Sequence, residues 1–204
     1  YLENLYYFTL YQLGVSSQGA YPPPFCGGLW TPNHDVRRWG HYYHWNEQQQ
    51  YWPVHAANHA ELAAPYNRWR SSTLKQAEKA AQVTHKKGGA FYSDVANRRG
   101  EQAGGFILTP GTQIAMDLWR HYLYTLDGEF LRTQAYPVMK ACAQFYLENL
   151  EKDAQGTFHV PKSSGYESAI LMRDSVTDLA SIRQSFPACI RASEILGVDA
   201  EMRG

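Results

Sequence analysis

The sequence predicts an all-α fold, and three observations support that prediction. Apolar residues recur at the three- and four-residue spacing of amphipathic helices in several long segments. Strand-like character is confined to one short segment, residues 157–161. Connections rich in glycine and proline separate the helical segments, as in arrays of helical hairpins. With 204 residues, the chain has the length of one domain or of a large piece of one.

In the first half of the chain, two helical regions flank a long loop. Residues 1–13 have the spacing of an amphipathic helix. Residues 14–40 are predicted to be a loop, because three consecutive prolines and several glycines exclude a helix there. Alanine-rich stretches favour helices between about 47 and 85. Because the chain opens and closes next to helical segments, we expect it to be a fragment of a larger protein.

In the second half, a glycine-rich loop over residues 86–110 precedes a pair of helices. The first should cover 112–125 and the second should run to about residue 150, with Pro137 in its first turn, where proline is tolerated. On or beside one face of the first helix lie Ile114, Leu118, Tyr122 and Leu126.

The last predicted helix covers about residues 177–196. Gly197 is a suitable stop, because glycine readily adopts the left-handed conformation that ends many helices. Asp174 and Thr177 are the two candidate N-caps, since either side chain can accept a hydrogen bond from a free backbone N–H.

The composition excludes several classes of protein. The 19 basic and 19 acidic residues cancel, so no long-range field attracts nucleic acid or an anionic membrane surface, and neither is predicted as a partner. No apolar run approaches the length of about 20 residues that a membrane-spanning helix needs. Three cysteines are too few to form a disulfide scaffold in a chain of this length.

Residues 39–53, WGHYYHWNEQQQYWP, form the densest cluster of aromatic and polar side chains. The segment holds three Trp, three Tyr, two His and three Gln, together with Asn46 and Glu47. Each buried amide or imidazole without a partner would cost about 1–3 kcal/mol, whereas a solvated surface does not need so many indoles. A sugar pocket satisfies both groups, because the C–H face of a sugar stacks on aromatic rings and its hydroxyls need polar partners. A buried structural polar network is the alternative.

Other candidates are open to two interpretations. Two histidine pairs have spacings that could place both rings on one face of a helix, but no further zinc motif accompanies them, so we predict no metal. Cys26 is either a nucleophile or a buried structural thiol. Glu167, in the loop PKSSGYES, is either a solvated acid or a proton donor with a raised pKa. The histidine pairs are His41 with His44 and His55 with His59.

The order of several motifs resembles the catalytic domain of glycoside hydrolase family 95, a family of inverting α-L-fucosidases and α-L-galactosidases. The motifs are GGLWTP (27–32), the 39–53 cluster ending in Tyr-Trp-Pro, NHAEL (58–62), the helix pair over 118–150, PKSSGYES (161–168) and ILGVDAEMR (195–203). The resemblance implies an (α/α)6 barrel, of which this chain would form an incomplete part.

The resemblance also implies roles for individual residues. Glu167 matches the general acid, and Asn46 matches the second of two asparagines that help to activate the attacking water. His44 stands at the position of the first and is expected to position the water together with Asn46, and this departure bears on the preference for fucose. The base-side Asp of the family lies beyond residue 204. Further substrate-binding candidates are Trp39, Trp45, Gln48 and His34.

The full protein is therefore expected to hydrolyse a terminal α-linked L-fucose-like or L-galactose-like sugar of an oligosaccharide or glycoside by inversion, without a cofactor. The fragment should be inactive alone, and the remainder of its own barrel is its expected partner. The family resemblance favours a secreted or periplasmic location. The alternative is a non-catalytic carbohydrate-binding or scaffolding protein with the same barrel.

Overall fold

The computed structural model describes residues 1–23, 41–165 and 171–203, and these residues are mainly helical. This confirms the predicted all-α class. The helices are α1 (Leu2–Ser16), α2 (His44–Gln49), α3 (Trp52–Ala56), α4 (Ala64–Ser72), α5 (Leu74–Ala80), α6 (Pro110–Thr125), α7 (Gly128–Phe130), α8 (Tyr136–Asn149) and α9 (Val176–Leu196). Short 3-10 helices cover Ala60–Ala63 and Ala200–Met202, and π-helical turns cover Ala81–His85 and Leu131–Ala135.

Five short strands complete the described part of the chain: β1 (Tyr42–Tyr43), β2 (Val95–Ala96), β3 (Gln102–Ala103), β4 (Glu151–Lys152) and β5 (Phe158–His159). The first three form an antiparallel sheet in the order β1-β2-β3, in which Tyr42 pairs with Ala96 and Val95 pairs with Ala103. Strands β4 and β5 form a separate hairpin, of which only β5 lies within residues 157–161, the segment predicted to be extended. The small sheet ties the start of α2 to the loop before α6.

Helices α6, α8 and α9 pack against one another around the main apolar core. Ile114 and Leu118 of α6 are fully buried there, as predicted. They meet Leu131 of the π-helical turn and Val138 of α8, which are also fully buried. Complete burial of such a side chain stabilises the fold by about 1.5–3 kcal/mol relative to leaving it in water.

Leu126 does not lie on the buried face of α6, although the spacing placed it on or beside that face. It is 72% exposed and adopts the left-handed conformation (φ 54°) as the C-cap of the helix. The backbone turns there, so the helical periodicity that buries Leu118 and Tyr122 no longer applies.

Helix α8 begins at Tyr136 with Pro137 in its first turn, as predicted, but further helical turns precede it directly. A helical segment starts at Gly128, capped by Asp127, whose carboxylate accepts hydrogen bonds from the backbone N–H groups of Glu129 and Phe130. The chain then widens into the π-helical turn, where the Tyr136 N–H donates to the Leu131 carbonyl oxygen. Pro137, in the first turn of α8, thus directly follows a wide turn. A wider turn relieves the clash that a proline ring makes with the preceding turn of an α-helix.

Helix α9 ends at Gly197, as predicted, with φ of 66°. Its N-cap is Ser175, not Asp174 or Thr177. The Ser175 hydroxyl accepts a hydrogen bond from the Asp178 backbone N–H and donates to the Asp178 carboxylate at 2.6 Å. Asp178 is fully buried and also accepts a hydrogen bond from the Tyr146 hydroxyl at 2.7 Å.

Helix α1 is present where the periodicity predicts it, but of its residues only Leu13 is buried. Most of its other apolar side chains face solvent. The exposed residues are Leu2, Leu5, Tyr6, Tyr7, Phe8, Tyr11 and Val15. Over the described residues, none of the helices has the length and apolar character needed to cross a membrane.

Candidate functional site

A cavity of about 320 Å³ lies where the start of α2, the start of α6 and the start of α9 meet. Its size falls at the lower end of the range of small-molecule sites. Its lining combines aromatic, amide and hydroxyl groups with a few apolar ones. The lining residues are Tyr43, His44, Trp45, Asn46, Asp94, Ile107, Thr109, Pro110, Gln113, Gly165 and Thr177.

The first turn of α2 is held against the small sheet, and this places Trp45 and Asn46 at the cavity. The His44 backbone N–H donates to the Asp94 carbonyl oxygen at 2.8 Å, directly after the β1–β2 pairing. Trp45 is 41% exposed, and its ring makes an edge contact with Trp52 at 5.6 Å between centroids. An exposed indole that is fixed by a second ring presents an apolar face suited to stacking on a sugar.

Side chains of α2 and α6 meet at Gln113. His44 Nε2 lies 2.8 Å from Gln113 Oε1, and Gln48 Nε2 donates to the same oxygen at 2.9 Å. His44 and Gln48 are almost completely buried, while Gln113 is half-buried and lines the cavity. Because Gln113 Oε1 is an acceptor in this arrangement, His44 Nε2 carries the ring proton.

His44 is a neutral imidazole over the ordinary pH range. Burial lowers its pKa to about 3, and the positive charge of Arg70 acts in the same direction, against the smaller effect of the Gln113 hydrogen bond. Near neutral pH such a ring carries no charge and offers the Nε2–H as a hydrogen-bond donor. His44 therefore contributes shape and hydrogen bonding.

A buried ion pair behind this turn joins α2 to α4. The Arg70 guanidinium donates to a Glu47 carboxylate oxygen, and both side chains are essentially inaccessible to solvent. The guanidinium also lies 4.4 Å from the centroid of the Trp69 ring. Burial raises the pKa of Glu47 to about 7, against the opposing charge of Arg70. The pair fixes the helix that carries His44 and Asn46.

The cluster predicted from residues 39–53 thus divides into two parts. Asn46, His44 and Trp45 come together at the cavity. Gln48 lies behind the wall and is not a lining residue, because its amide is directed at Gln113. Trp39, His34 and Glu167 lie outside the described residues. Gly165, two residues before Glu167 in the sequence, lines the cavity.

The remaining histidine candidates make other contacts. His55 Nε2 lies 3.0 Å from His121 Nδ1, and His59 Nδ1 lies 3.0 Å from Glu61 Oε1. Within residues 1–23, 41–165 and 171–203, no group of three His, Cys, Asp or Glu side chains is arranged to hold a metal ion. His55 and His59 therefore contact His121 and Glu61.

Sequence reasoning missed Gln113, Thr109 and Thr177. Gln113 lies next to the predicted apolar face of α6 and looks like an ordinary exposed position, and its partners are 65 and 69 residues away in the sequence. The hydroxyl of Thr177, which was considered only as a helix cap, donates to the Gly165 carbonyl oxygen at 3.2 Å. Only the tertiary fold brings these groups together.

The glycosyl hydrolase family 95 catalytic domain matches residues 1–204 of this chain. The chain belongs to this family. Family 95 relatives include alpha-L-fucosidase 2 of Arabidopsis thaliana, 28% identical over 96% of this chain, and a probable alpha-fucosidase A of Aspergillus niger, 30% identical over 75%. A kojibiose hydrolase of Flavobacterium johnsoniae is 27% identical over 59% of this chain. The chain spans 25%, 21% and 18% of the lengths of these three proteins.

A solved structure described as a putative kojibiose phosphorylase from human microbiome has the same fold. The match has a TM-score of 0.67 and 15% identity, and it covers 81% of this chain and 27% of the other. At this identity the likeness concerns the fold alone. It agrees with the expectation that this family 95 chain forms part of an (α/α)6 barrel.

Proposed function

We propose that the full-length protein is a glycosidase that removes a terminal α-linked L-fucose-like or L-galactose-like sugar by inversion. The observation that carries this proposal is the placement of Trp45 and Asn46 in one cavity of about 320 Å³ that Gly165 also lines, two residues before Glu167 in the sequence. An exposed indole beside amide groups matches the apolar face and the hydroxyls of a sugar.

In this proposal, Glu167 protonates the leaving oxygen and Asn46 positions the attacking water. His44 stays neutral and supports the wall of the site. Inversion requires a second carboxylate on the other side of the bond, with the two carboxyl groups about 6.5–9.5 Å apart. By the family resemblance, that carboxylate belongs to an Asp beyond residue 204, so the chain alone should not turn over substrate. No cofactor is needed, because carboxylates and water supply the chemistry.

The names of the relatives support a glycoside hydrolase, but they name two kinds of substrate, fucosides and kojibiose. Two are named as fucosidases and two as kojibiose hydrolases. The match to the fucosidase of Arabidopsis thaliana covers 96% of this chain, whereas the match to the kojibiose hydrolase of Flavobacterium johnsoniae covers 59%. We therefore place L-fucose-like and L-galactose-like sugars first.

The test compares the full-length protein with its Glu167→Gln variant on aryl α-L-fucoside and aryl α-L-galactoside. Loss of a general acid should lower kcat by about 10²–10⁴-fold. Glu151→Gln is the matched control, because Glu151 is an exposed acid in β4. Equal rates for the Glu167→Gln variant and the wild type would remove Glu167 from the acid role. NMR of the first-formed anomer tests inversion, and a retained configuration would contradict it.

A non-catalytic carbohydrate-binding or scaffolding protein is the second candidate. It is favoured by His44, which occupies the place of an expected water-activating asparagine and engages its Nε2–H with Gln113. Under this alternative, a sugar would raise the Tm of the full-length protein without being hydrolysed. Hydrolysis of either aryl glycoside would exclude it.

A further inference from the structure

Gln113 brings an amide N–H₂ group to the cavity, and in the part of the chain that the structure describes this group has no acceptor. Its carbonyl oxygen accepts hydrogen bonds from His44 and Gln48, so the oxygen end of the amide is directed at α2. Among the described residues, nothing accepts a hydrogen bond from Gln113 Nε2. The side chain is half-buried and lines the cavity. The amide nitrogen is therefore an oriented donor without a partner among the described residues.

The two bonds to the oxygen restrict how the amide can move. The partners come from consecutive turns of α2, and that helix is itself held by the Glu47–Arg70 ion pair. A donor whose side chain is already fixed loses little conformational entropy when a ligand binds. Gln113 thus has the rigid support expected of a residue that discriminates between ligands.

The described lining also restricts the charge of the ligand. It contains no Lys and no Arg, so it offers no cation to a sugar phosphate or a uronic acid. Asp94 is its carboxylate residue, and His44 remains neutral. Amide and hydroxyl groups beside the exposed indole of Trp45 favour an uncharged, hydroxyl-rich ligand.

We propose that Gln113 is a specificity-determining residue whose amide N–H donates a hydrogen bond to one hydroxyl of an uncharged sugar unit in this cavity. The inference rests on the proposed function in that it assumes a sugar ligand, but it does not require hydrolysis. The carbonyl oxygen of Gln113 accepts hydrogen bonds from α2, and its amide nitrogen would donate one to the sugar.

The experiment measures Kd values by isothermal titration on the full-length protein, with methyl α-L-fucoside, methyl α-L-galactoside and the singly deoxygenated analogues of each. Gln113→Met removes both ends of the amide. Gln113→Glu keeps an oxygen that accepts hydrogen bonds from α2 but lacks the N–H that would donate to the sugar. It replaces the Met variant in the test if that variant does not fold. Gln155→Met is the matched control, because Gln155 is exposed in the turn between β4 and β5.

We expect Gln113→Met to weaken binding of the parent glycoside about tenfold, the effect of a lost hydrogen bond that leaves a buried group unpaired. For the one deoxy analogue that lacks the contacted hydroxyl, the variant should bind as the wild type does, since both partners are then absent. Gln113→Glu should change the order of preference among the analogues. The control should match the wild type.

A purely structural role for Gln113 would weaken binding of every analogue by the same factor, and this result would overturn the inference. Kd values within twofold of the wild type in both Gln113 variants would also overturn the inference. Failure of the wild type to bind either neutral glycoside would overturn it as well. Tighter binding of a methyl α-D-galacturonide than of the neutral pair would overturn the ligand class. Binding without hydrolysis would contradict the proposed activity and leave this inference standing.

Discussion

Two regions of this molecule bury different kinds of side chain: the region of α2 and α4 next to the cavity, and the apolar core between α6, α8 and α9. Around α2 and α4, the residues withdrawn from solvent include Arg70, Glu47 and His44, and each keeps one buried polar atom without a hydrogen-bond partner in the described structure. Around α6, α8 and α9, the buried residues are mainly apolar, such as Leu118 and Val138. A partly satisfied polar network is costly in a low-dielectric interior. Apolar packing therefore stabilises the molecule, and the polar network orients the wall of the cavity.

The largest effect should come from breaking the buried ion pair. In the full-length protein, Arg70→Met leaves the Glu47 carboxylate without its partner, and we expect the free energy of unfolding to fall by about 3–5 kcal/mol. Chemical denaturation measures this change. The double variant Glu47→Leu/Arg70→Met should recover most of the loss, because no unpaired charge remains. If the double variant is less stable than Arg70→Met, the pair is not the source of the loss.

A large but different effect should follow from a cavity in the apolar core. Leu118→Ala removes a fully buried side chain of α6 and should lower the free energy of unfolding by about 2–5 kcal/mol. Because no titratable group is removed, the loss should be the same at pH 5 and pH 8 in denaturation experiments. Leu126→Ala is the matched control, since Leu126 is 72% exposed. A strong pH dependence of the Leu118→Ala loss would contradict the division into a polar and an apolar region.

Near pH 6 the smallest of the three effects should come from His44, and it should grow as the pH falls. Its pKa is about 3 in the folded protein and 6.5 in the unfolded chain, so the unfolded state binds more protons between these values. Stability should therefore fall as the pH drops from 6.5 towards 3, by up to about 1.4 kcal/mol per pH unit from this one group.

The measurement compares the free energy of unfolding of the wild type with that of His44→Gln across this pH range. The difference between the two should change as the pH falls and should be constant above pH 7. Parallel curves over the whole range would show that His44 is not buried as a neutral ring. Glu47 titrates in both proteins, so its contribution is largely removed from the comparison.

Much of the fold was predictable because helices depend on local spacing. The periodicity of α6 identified the buried Ile114 and Leu118, and Gly197 marked the end of α9. The start of α9 was not predictable to the residue, because Ser175, Asp174 and Thr177 all have side chains that can cap a helix. The choice among them depended on Asp178, which is held by Tyr146 from a different helix.

The site was predictable in part. The composition of residues 39–53 indicated both a sugar pocket and a buried polar network, and the described residues divide between the two. Trp45 and Asn46 line the cavity, whereas Glu47 and Gln48 form buried hydrogen bonds. The alternation around a short helix decides which side chain faces which way, and no composition argument can supply that information.

The amino-acid sequence by itself determined the helical class of this protein, the family it belongs to and the segment that carries its aromatic and amide groups. Those properties depend on residue order and on spacing within one element. Only the tertiary structure decided that His44 is neutral, that Glu47 pairs with Arg70 and that Gln113 presents its amide to the cavity. The physical reason is that burial and hydrogen bonding depend on distances between segments more than 20 residues apart, which no local pattern encodes.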